Sequence, residues 1–379
     1  MKFIDLDRQY HLIGEEIERR MRRVIESKQF IMGPEIKELE TALAEYTGRK
    51  HVVTCASGTD ALVIPLMAME LTKEDAVFVP AFTFFATAES VVLAGATPVF
   101  VDCDSSYNID TENLIYQIEK TIKEGKLVPK GIIPVDLFGQ PADYDELNEI
   151  AEKYDLFILE DAAQGFGGIY GGRRACSFGK VSSTSFFPAK PLGCYGDGGA
   201  IFTDDDAFAE KLRSVRVHGM GTDRYDNVRI GLNGRMDTLQ AAVVIPKLKN
   251  FNLEMEKRNR VAKRYTENLR SDFVVPVIPE NKVSSWAQFS LLAENENQRE
   301  DIVNRMKKRD IPVMIYYPIP MHLQTAFGYL GYKNGDLPVC ESYAERIFSI
   351  PMHPYLTEDE IDFVSEALIT ALKQAKGIL

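Results

Sequence analysis

The stretch Phe157–Thr203, FILEDAAQGFGGIYGGRRACSFGKVSSTSFFPAKPLGCYGDGGAIFT, decides how this 379-residue chain is read. It opens as a buried-strand pattern ending in acids, Phe157-Ile158-Leu159-Glu160-Asp161, with Gln164 three residues further on. A Ser185-Phe186-Phe187 run follows, then Lys190, set between Pro188 and Pro191 and ahead of Gly193, Gly196, Gly198 and Gly199. The prolines restrict the backbone, and the glycines let it pass close to a ligand. A carboxylate at the C-terminal end of a parallel strand, then a lysine on a constrained loop, is the pair that pyridoxal phosphate chemistry requires. The amine forms a Schiff base with the aldehyde, and the carboxylate keeps the pyridine nitrogen protonated so that the ring can draw electrons. Once displaced, the lysine amine is the natural base for moving a proton between substrate and cofactor carbons. Each residue also has a plainer reading: most lysines lie on surfaces, and Asp161 could pair with a nearby arginine.

Working outward, residues 15–29 read as a helix and Glu35 to Tyr46 as a second. His51–Cys55 reads as a strand, followed by a helix opening at Ser57-Gly58-Thr59-Asp60 and running to about Met69. Ala76–Val79, Pro98–Asp102, Gly131–Val135, Leu156–Glu160, Ser182–Phe186 and Gly199–Thr203 read as further strands, with a helix from Thr83 to Leu93. Strands alternating with helices predict an α/β fold with a mostly parallel sheet covered on both faces. After about Asn233 the pattern changes. Asp237 to about Leu269 lacks glycine and carries one proline, Pro246, predicting a long helix with a kink or break. Ser290–Leu292, Arg299–Arg309, Val313–Tyr316 and Glu358–Lys373 suggest a smaller α/β domain. The expected division is a large domain over 1–245 and a small one over 246–379, joined by that long helix.

Composition narrows the class. Hydrophobic residues make up 45% and charged residues 26%, as in ordinary globular proteins. The formal charge of −12 and the lack of basic runs argue against nucleic-acid binding. Five scattered cysteines without a CxxC pair favour reduced thiols over a disulfide framework or a metal site. With no apolar leader and no apolar run near the roughly 20 residues of a membrane helix, a soluble cytoplasmic protein is expected.

Three more segments bear on the cofactor. At Cys55-Ala56-Ser57-Gly58-Thr59-Asp60, backbone N–H groups at a helix start and the Thr59 hydroxyl would make an anion site for a phosphate. Ser-Gly-Thr-Asp is equally a good helix cap, and both readings stand. Ser185 is a candidate second phosphate contact. Phe84, just after a strand, is placed to stack on a pyridine ring, although an aromatic there is more often core. Gln164 lies on the same face as Asp161 and could reach the ring hydroxyl.

ASGTDAL, AFTFFATAE, LEDAAQGFG, SFFPAKPLGCYGDGGAIFT, VRVHG, LNGRMDTLQAA and YYPIPMH stand in this order along the chain. Their series resembles the DegT/DnrJ/EryC1/StrS sugar aminotransferases over essentially the whole length. The resemblance implies the pyridoxal-phosphate-dependent transferase fold of type I and a homodimer with shared active sites. SFFPAKPLGCYGDGGAIFT and MDTLQAA look most like the enzymes that aminate C3 of UDP-2-acetamido-2-deoxy-3-oxo-glucuronate with L-glutamate. C4-aminating relatives typically have Ser-x-Asn-x-Lys where Pro188-Ala189-Lys190 stands here. By resemblance, Lys190 is the Schiff-base lysine, Asp161 the partner of the pyridine nitrogen and Gln164 that of the ring hydroxyl. Thr59, Asp60 and Ser185 cradle the phosphate, and Phe84 stacks on the ring. Asn233 is expected to reach the cofactor phosphate of the other subunit, and Arg235 a carboxylate across the interface. Tyr316 and Tyr317 match a His-Tyr-Pro stretch that contacts the nucleotide diphosphate, with Tyr316 in place of histidine. His218 and His322 fall in recurrent stretches without an assignable role. The rival readings are an aminotransferase of a neutral dTDP- or UDP-keto-deoxy sugar, a dehydratase (disfavoured by Lys190) and a non-catalytic scaffold or regulatory protein.

Overall fold

The Asp5 carboxylate accepts the Arg8 N–H and so starts α1 (Leu6–Ser27) well before Glu15, the start read from the sequence. Gly14 lies inside the helix, with the Tyr10 ring where a side chain would be. The computed structural model describes residues 1–223 and 225–378. Pro34 occupies the first turn of α2 (Pro34–Thr47), where its missing N–H costs nothing, and Gly48 ends it at φ 79°.

The large sheet region follows as β1 (His51–Cys55), α3 (Gly58–Ala68), β2 (Asp75–Pro80), α4 (Phe85–Leu93), β3 (Thr97–Val101), α5 (Thr111–Glu124) and β4 (Val128–Ile132). It continues with α6 (Tyr144–Tyr154), β5 (Phe157–Asp161), the short β6 (Ile169–Tyr170) and β7 (Arg173–Arg174), β8 (Val181–Ser185), β9 (Gly199–Thr203) and α7 (Asp206–Val215). Seven strands form one sheet in the order β1-β9-β8-β5-β4-β2-β3. Five neighbours, β3, β2, β4, β5 and β8, run parallel, whereas β9 is antiparallel to both β8 and β1. The β4 strand lies three residues earlier than Gly131–Val135. Pro134 cannot donate to a ladder, and Val135 makes only an isolated bridge to Asp161.

Beyond the sheet, α8 (Thr238–Leu269) runs unbroken through Pro246. Then come β10 (Lys282–Val283), β11 (Phe289–Leu292), α9 (Glu296–Lys307), α10 (Pro338–Arg346), β12 (Ile347–Ile350) and α11 (Glu358–Ala375). The antiparallel partner of β11 is β12. The strand expected at Val313–Tyr316 is reduced to one bridge, Met314 to Ser349, with Pro312 before it and Pro318 after it limiting any extension. A separate apolar cluster of Tyr265, Leu269, Phe289, Ile302, Phe348 and Leu368 fills this end of the molecule. Met321, Phe327, Leu337 and Cys340 instead join the core against the large sheet. Among the described residues, no helix is long and apolar enough to cross a membrane.

Candidate active site

Parallel strands deliver their C-terminal ends to one edge of the sheet, where loops can hold a ligand. Asp161 ends β5 at that edge and is 4% exposed. Its Oδ1 accepts the Ala163 N–H at 3.1 Å, and its Oδ2 accepts the Thr87 hydroxyl at 2.9 Å. The Thr83 and Thr87 oxygens are 3.1 Å apart, extending the chain of hydroxyls. Burial pushes the Asp161 carboxyl above its ordinary range, while Ala163, Thr87 and the charge of Lys190 hold it down. Lys190 is half-buried on the loop after β8, and its amine makes no hydrogen bond or ion pair among the described residues. Burial lowers the pKa of that amine, and the Asp161 charge opposes the shift. The sheet edge therefore holds a buried carboxylate, each oxygen accepting one hydrogen bond, and a half-buried amine without a partner among the described residues.

A second feature lies at the start of α3. The Ser57 hydroxyl oxygen accepts the Asp60 N–H at 3.0 Å, capping the helix. The N–H groups of Gly58 and Thr59 and the Thr59 hydroxyl have no partner among the described residues. A side chain at Gly58 would place Cβ 2.5 Å from Ser185 Cβ, so the helix start and the end of β8 are in closest approach there. The Ser185 oxygen accepts the Phe187 N–H at 3.2 Å, and its own hydrogen remains free to donate. Free amides and hydroxyls converging at a helix N-terminus suit a phosphate. The Asp60 carboxyl is raised by burial, and its Oδ2 lies 3.2 Å from where a Cβ on Gly234 would be.

The third feature was only partly legible in the sequence. Gln164 is 3% exposed. Its Oε1 accepts the Phe138 N–H at 2.7 Å, and its Nε2 donates to the Tyr317 hydroxyl at 3.0 Å. Tyr317, expected at the nucleotide, thus sits against the residue expected at the ring hydroxyl. Burial raises the pKa of its phenol. Phe84 is 55% exposed, with its ring centroid 6.2 Å from that of Tyr317. Tyr316 packs edge-on against Phe3 and Tyr317. Thr87 and Phe138 were not singled out from the sequence. Thr87 carries only a helix-spacing clue, three residues after Phe84, and Phe138 carries none.

Other expected residues lie apart. Asn233 and Arg235 hydrogen-bond each other, and neither touches Lys190, Asp161 or Gln164. His322 is buried and paired with Glu341 at 2.9 Å. His218 has a left-handed backbone, φ 58°, and its N–H donates to Leu232 O. A cavity of about 660 Å³ is lined by Tyr107, Phe138, Trp286 and the 274–279 segment, and includes neither Lys190 nor Asp161.

The free amine, the buried carboxylate, the open amides and the exposed aromatic fit pyridoxal phosphate. Comparison with known proteins agrees. The profile of the DegT/DnrJ/EryC1/StrS aminotransferase family matches residues 11–369. The chain belongs to that family, and its cofactor is pyridoxal phosphate. It is 43% identical to the UDP-2-acetamido-2-deoxy-3-oxo-D-glucuronate aminotransferase of Pseudomonas aeruginosa, over 97% of this chain and 99% of the relative. It is also 40% identical to a protein of Geobacillus stearothermophilus named pleiotropic regulatory protein, over 96% of each. The crystal structure of a DegT DnrJ EryC1 StrS aminotransferase from Brucella abortus superposes with a TM-score of 0.94 at 50% identity, covering 97% of this chain and 98% of that one.

Proposed function

We propose that this aminotransferase moves the amino group of L-glutamate to C3 of UDP-2-acetamido-2-deoxy-3-oxo-glucuronate, releasing 2-oxoglutarate and the 3-amino sugar nucleotide. The observation that carries the reading is the unpartnered Lys190 amine beside buried Asp161, in a chain so similar to the Pseudomonas enzyme. Bound at this edge, pyridoxal phosphate supplies an aldehyde for amines and a ring that withdraws electrons. In this reading Lys190 Nζ takes the proton from Cα of glutamate and, in the second half-reaction, returns one to C3 of the sugar. Asp161 holds a proton on the ring nitrogen, and Thr87 and Ala163 orient its carboxylate. Gln164 has one Nε2 hydrogen to spare for the ring hydroxyl, because Tyr317 takes the other.

Thr59, Asp60 and Ser185 are assigned to the phosphate and Phe84 to the ring face. Asn233 and Arg235 would act in a second copy of the chain, Asn233 at the phosphate and Arg235 on a carboxylate, for which a guanidinium offers a two-toothed fit. Exposed Phe30, Ile31, Met32 and Phe187 favour such a homodimer. Tyr316 and Tyr317 are assigned to the nucleotide diphosphate, Tyr317 by an oxygen it shares with Gln164. We carry forward the division into 1–245 and 246–379, supported by the separate C-terminal cluster. A cytoplasmic setting is supported by five buried, unpaired cysteines.

The test is mass spectrometry of a coupled reaction. UDP-N-acetylglucosaminuronic acid is oxidised at C3 in situ and offered with L-glutamate and pyridoxal phosphate. The 3-amino product, absent with Lys190→Ala, is expected. A protein whose cofactor band bleaches with glutamate but which forms no product would move the substrate to a neutral keto-sugar.

A further inference from the structure

The loop that carries Lys190 is closed by its own backbone. The Lys190 N–H donates to Phe187 O at 2.8 Å and the Cys194 N–H to Phe186 O at 2.7 Å. A Cβ on Gly193 would lie 2.6 Å from Pro188 O and 2.7 Å from Phe187 O, so the turn is folded tightly upon itself. A displacement at Gly193 therefore reaches Lys190 three residues away.

Two side chains of α8 take hold of this turn. Lys247 is 1% exposed, and its ammonium donates to Gly193 O at 2.7 Å while lying 4.5 Å from the centre of the Tyr195 ring. Gln240 accepts the Tyr195 N–H at 2.9 Å, and its amide fills the space beside Gly196. The two residues are seven apart, two helical turns, and so share one face of α8. Glu254, seven residues further, continues the stripe and is held by the Gln9 amide and the Tyr355 hydroxyl. Burying an ammonium is costly unless it is well partnered. Among the described residues Lys247 has no carboxylate within ion-pair distance; the more distant Glu254 charge favours its ammonium, and the hydrogen-bond acceptor it reaches is Gly193 O. An apolar residue of similar length would fill the same space without that cost, so the ammonium is explained by the carbonyl it grips.

We propose that Lys247 is a positioning residue for Lys190. With Gln240, it clamps the backbone of Gly193–Tyr195 and fixes the turn from which the Lys190 side chain projects toward the cofactor. The proposal rests on the reading of Lys190 as the residue that joins the cofactor.

The test follows covalent attachment of pyridoxal phosphate to Lys190, amine plus aldehyde with loss of water. Cofactor-free chain is mixed with pyridoxal phosphate and the rise of the bound-cofactor band is timed. The Lys190 peptide is then identified by mass spectrometry after borohydride reduction. Lys247→Met is expected to keep its circular dichroism spectrum and to attach cofactor about 10- to 100-fold more slowly, as for a reacting group displaced by about 1 Å. Lys247→Arg, which keeps the charge and the donor, is expected to recover most of that rate. Attachment by Lys247→Met at the wild-type rate overturns the proposal. If Lys247→Met does not fold, Gln240→Leu decides, a slowed rate supporting the clamp and an unchanged one overturning it. Wild-type chain labelled at a residue other than Lys190 would instead remove the site reading on which the proposal stands.

Discussion

Asp161→Asn should raise the stability of the cofactor-free chain and lower its turnover. The change is isosteric. Asn keeps an oxygen for the Ala163 N–H, and its amide can donate to the Thr87 oxygen, so neither hydrogen bond need be lost. What disappears is a nearly fully buried charge, and replacing such a charge by a neutral group of the same shape is worth about 1 kcal/mol or somewhat more. The sign follows from the carboxyl being pushed up by burial. The folded chain then holds the Asp161 proton more firmly than the unfolded chain, so wild-type stability falls as pH rises from the ordinary carboxylate value through the raised one. The advantage of Asn is therefore full above that window and vanishes below it. Catalysis responds the other way. An ion pair at about 4 Å in an effective dielectric of about 20 is worth about 4 kcal/mol, which, expressed wholly in the barrier, is about 10³-fold in rate. Urea unfolding of the cofactor-free proteins at pH 7 and pH 4 measures the first effect, and single turnovers with glutamate the second. A variant less stable than wild type at pH 7, or one turning over within about tenfold of it, would refute this account of Asp161.

Gly58→Ala should weaken pyridoxal phosphate binding by about tenfold or more, because the new Cβ would lie 2.5 Å from Ser185 Cβ and push apart the two sides of the anion site; equilibrium dialysis showing unchanged affinity would count against that site. Gln164→Leu leaves the buried Phe138 N–H without its acceptor and should cost about 1–3 kcal/mol in urea unfolding, beyond any effect on turnover. Arg49→Met removes an ion pair to Asp204 and bonds to the carbonyls of Cys176, Phe178 and Gly179 behind the sheet. It should cost about 1–3 kcal/mol for the buried carbonyls left without a donor, and a calorimetric melt close to wild type would show that these carbonyls find other donors.

The alternation of strands and helices was legible from residues 51 to 203 because each buried parallel strand is a short apolar run closed by turn residues. Legibility failed where pairing depends on distant partners. Val313–Tyr316 has strand-like residues, but only Met314 finds a partner, Ser349 of β12, and the ladder of β12 goes to β11. The early start of α1 depends on Asp5, whose carboxylate caps the helix at the Arg8 N–H, a contact visible only in the structure.

By itself the sequence determined the chemistry: an acid closing an apolar strand, a lysine between prolines, and a small-residue helix start, each a local pattern whose spacing survives folding. Only the tertiary structure decided which side chains hydrogen-bond to these segments. Thr87 meets Asp161 across 74 residues, Tyr317 meets Gln164 across 153, and Lys247 reaches Gly193 across 54. The reason is geometric. A hydrogen bond forms or fails within a few tenths of an ångström, and the packing of β5, α4 and α8 sets those distances, which residue order along the chain does not encode.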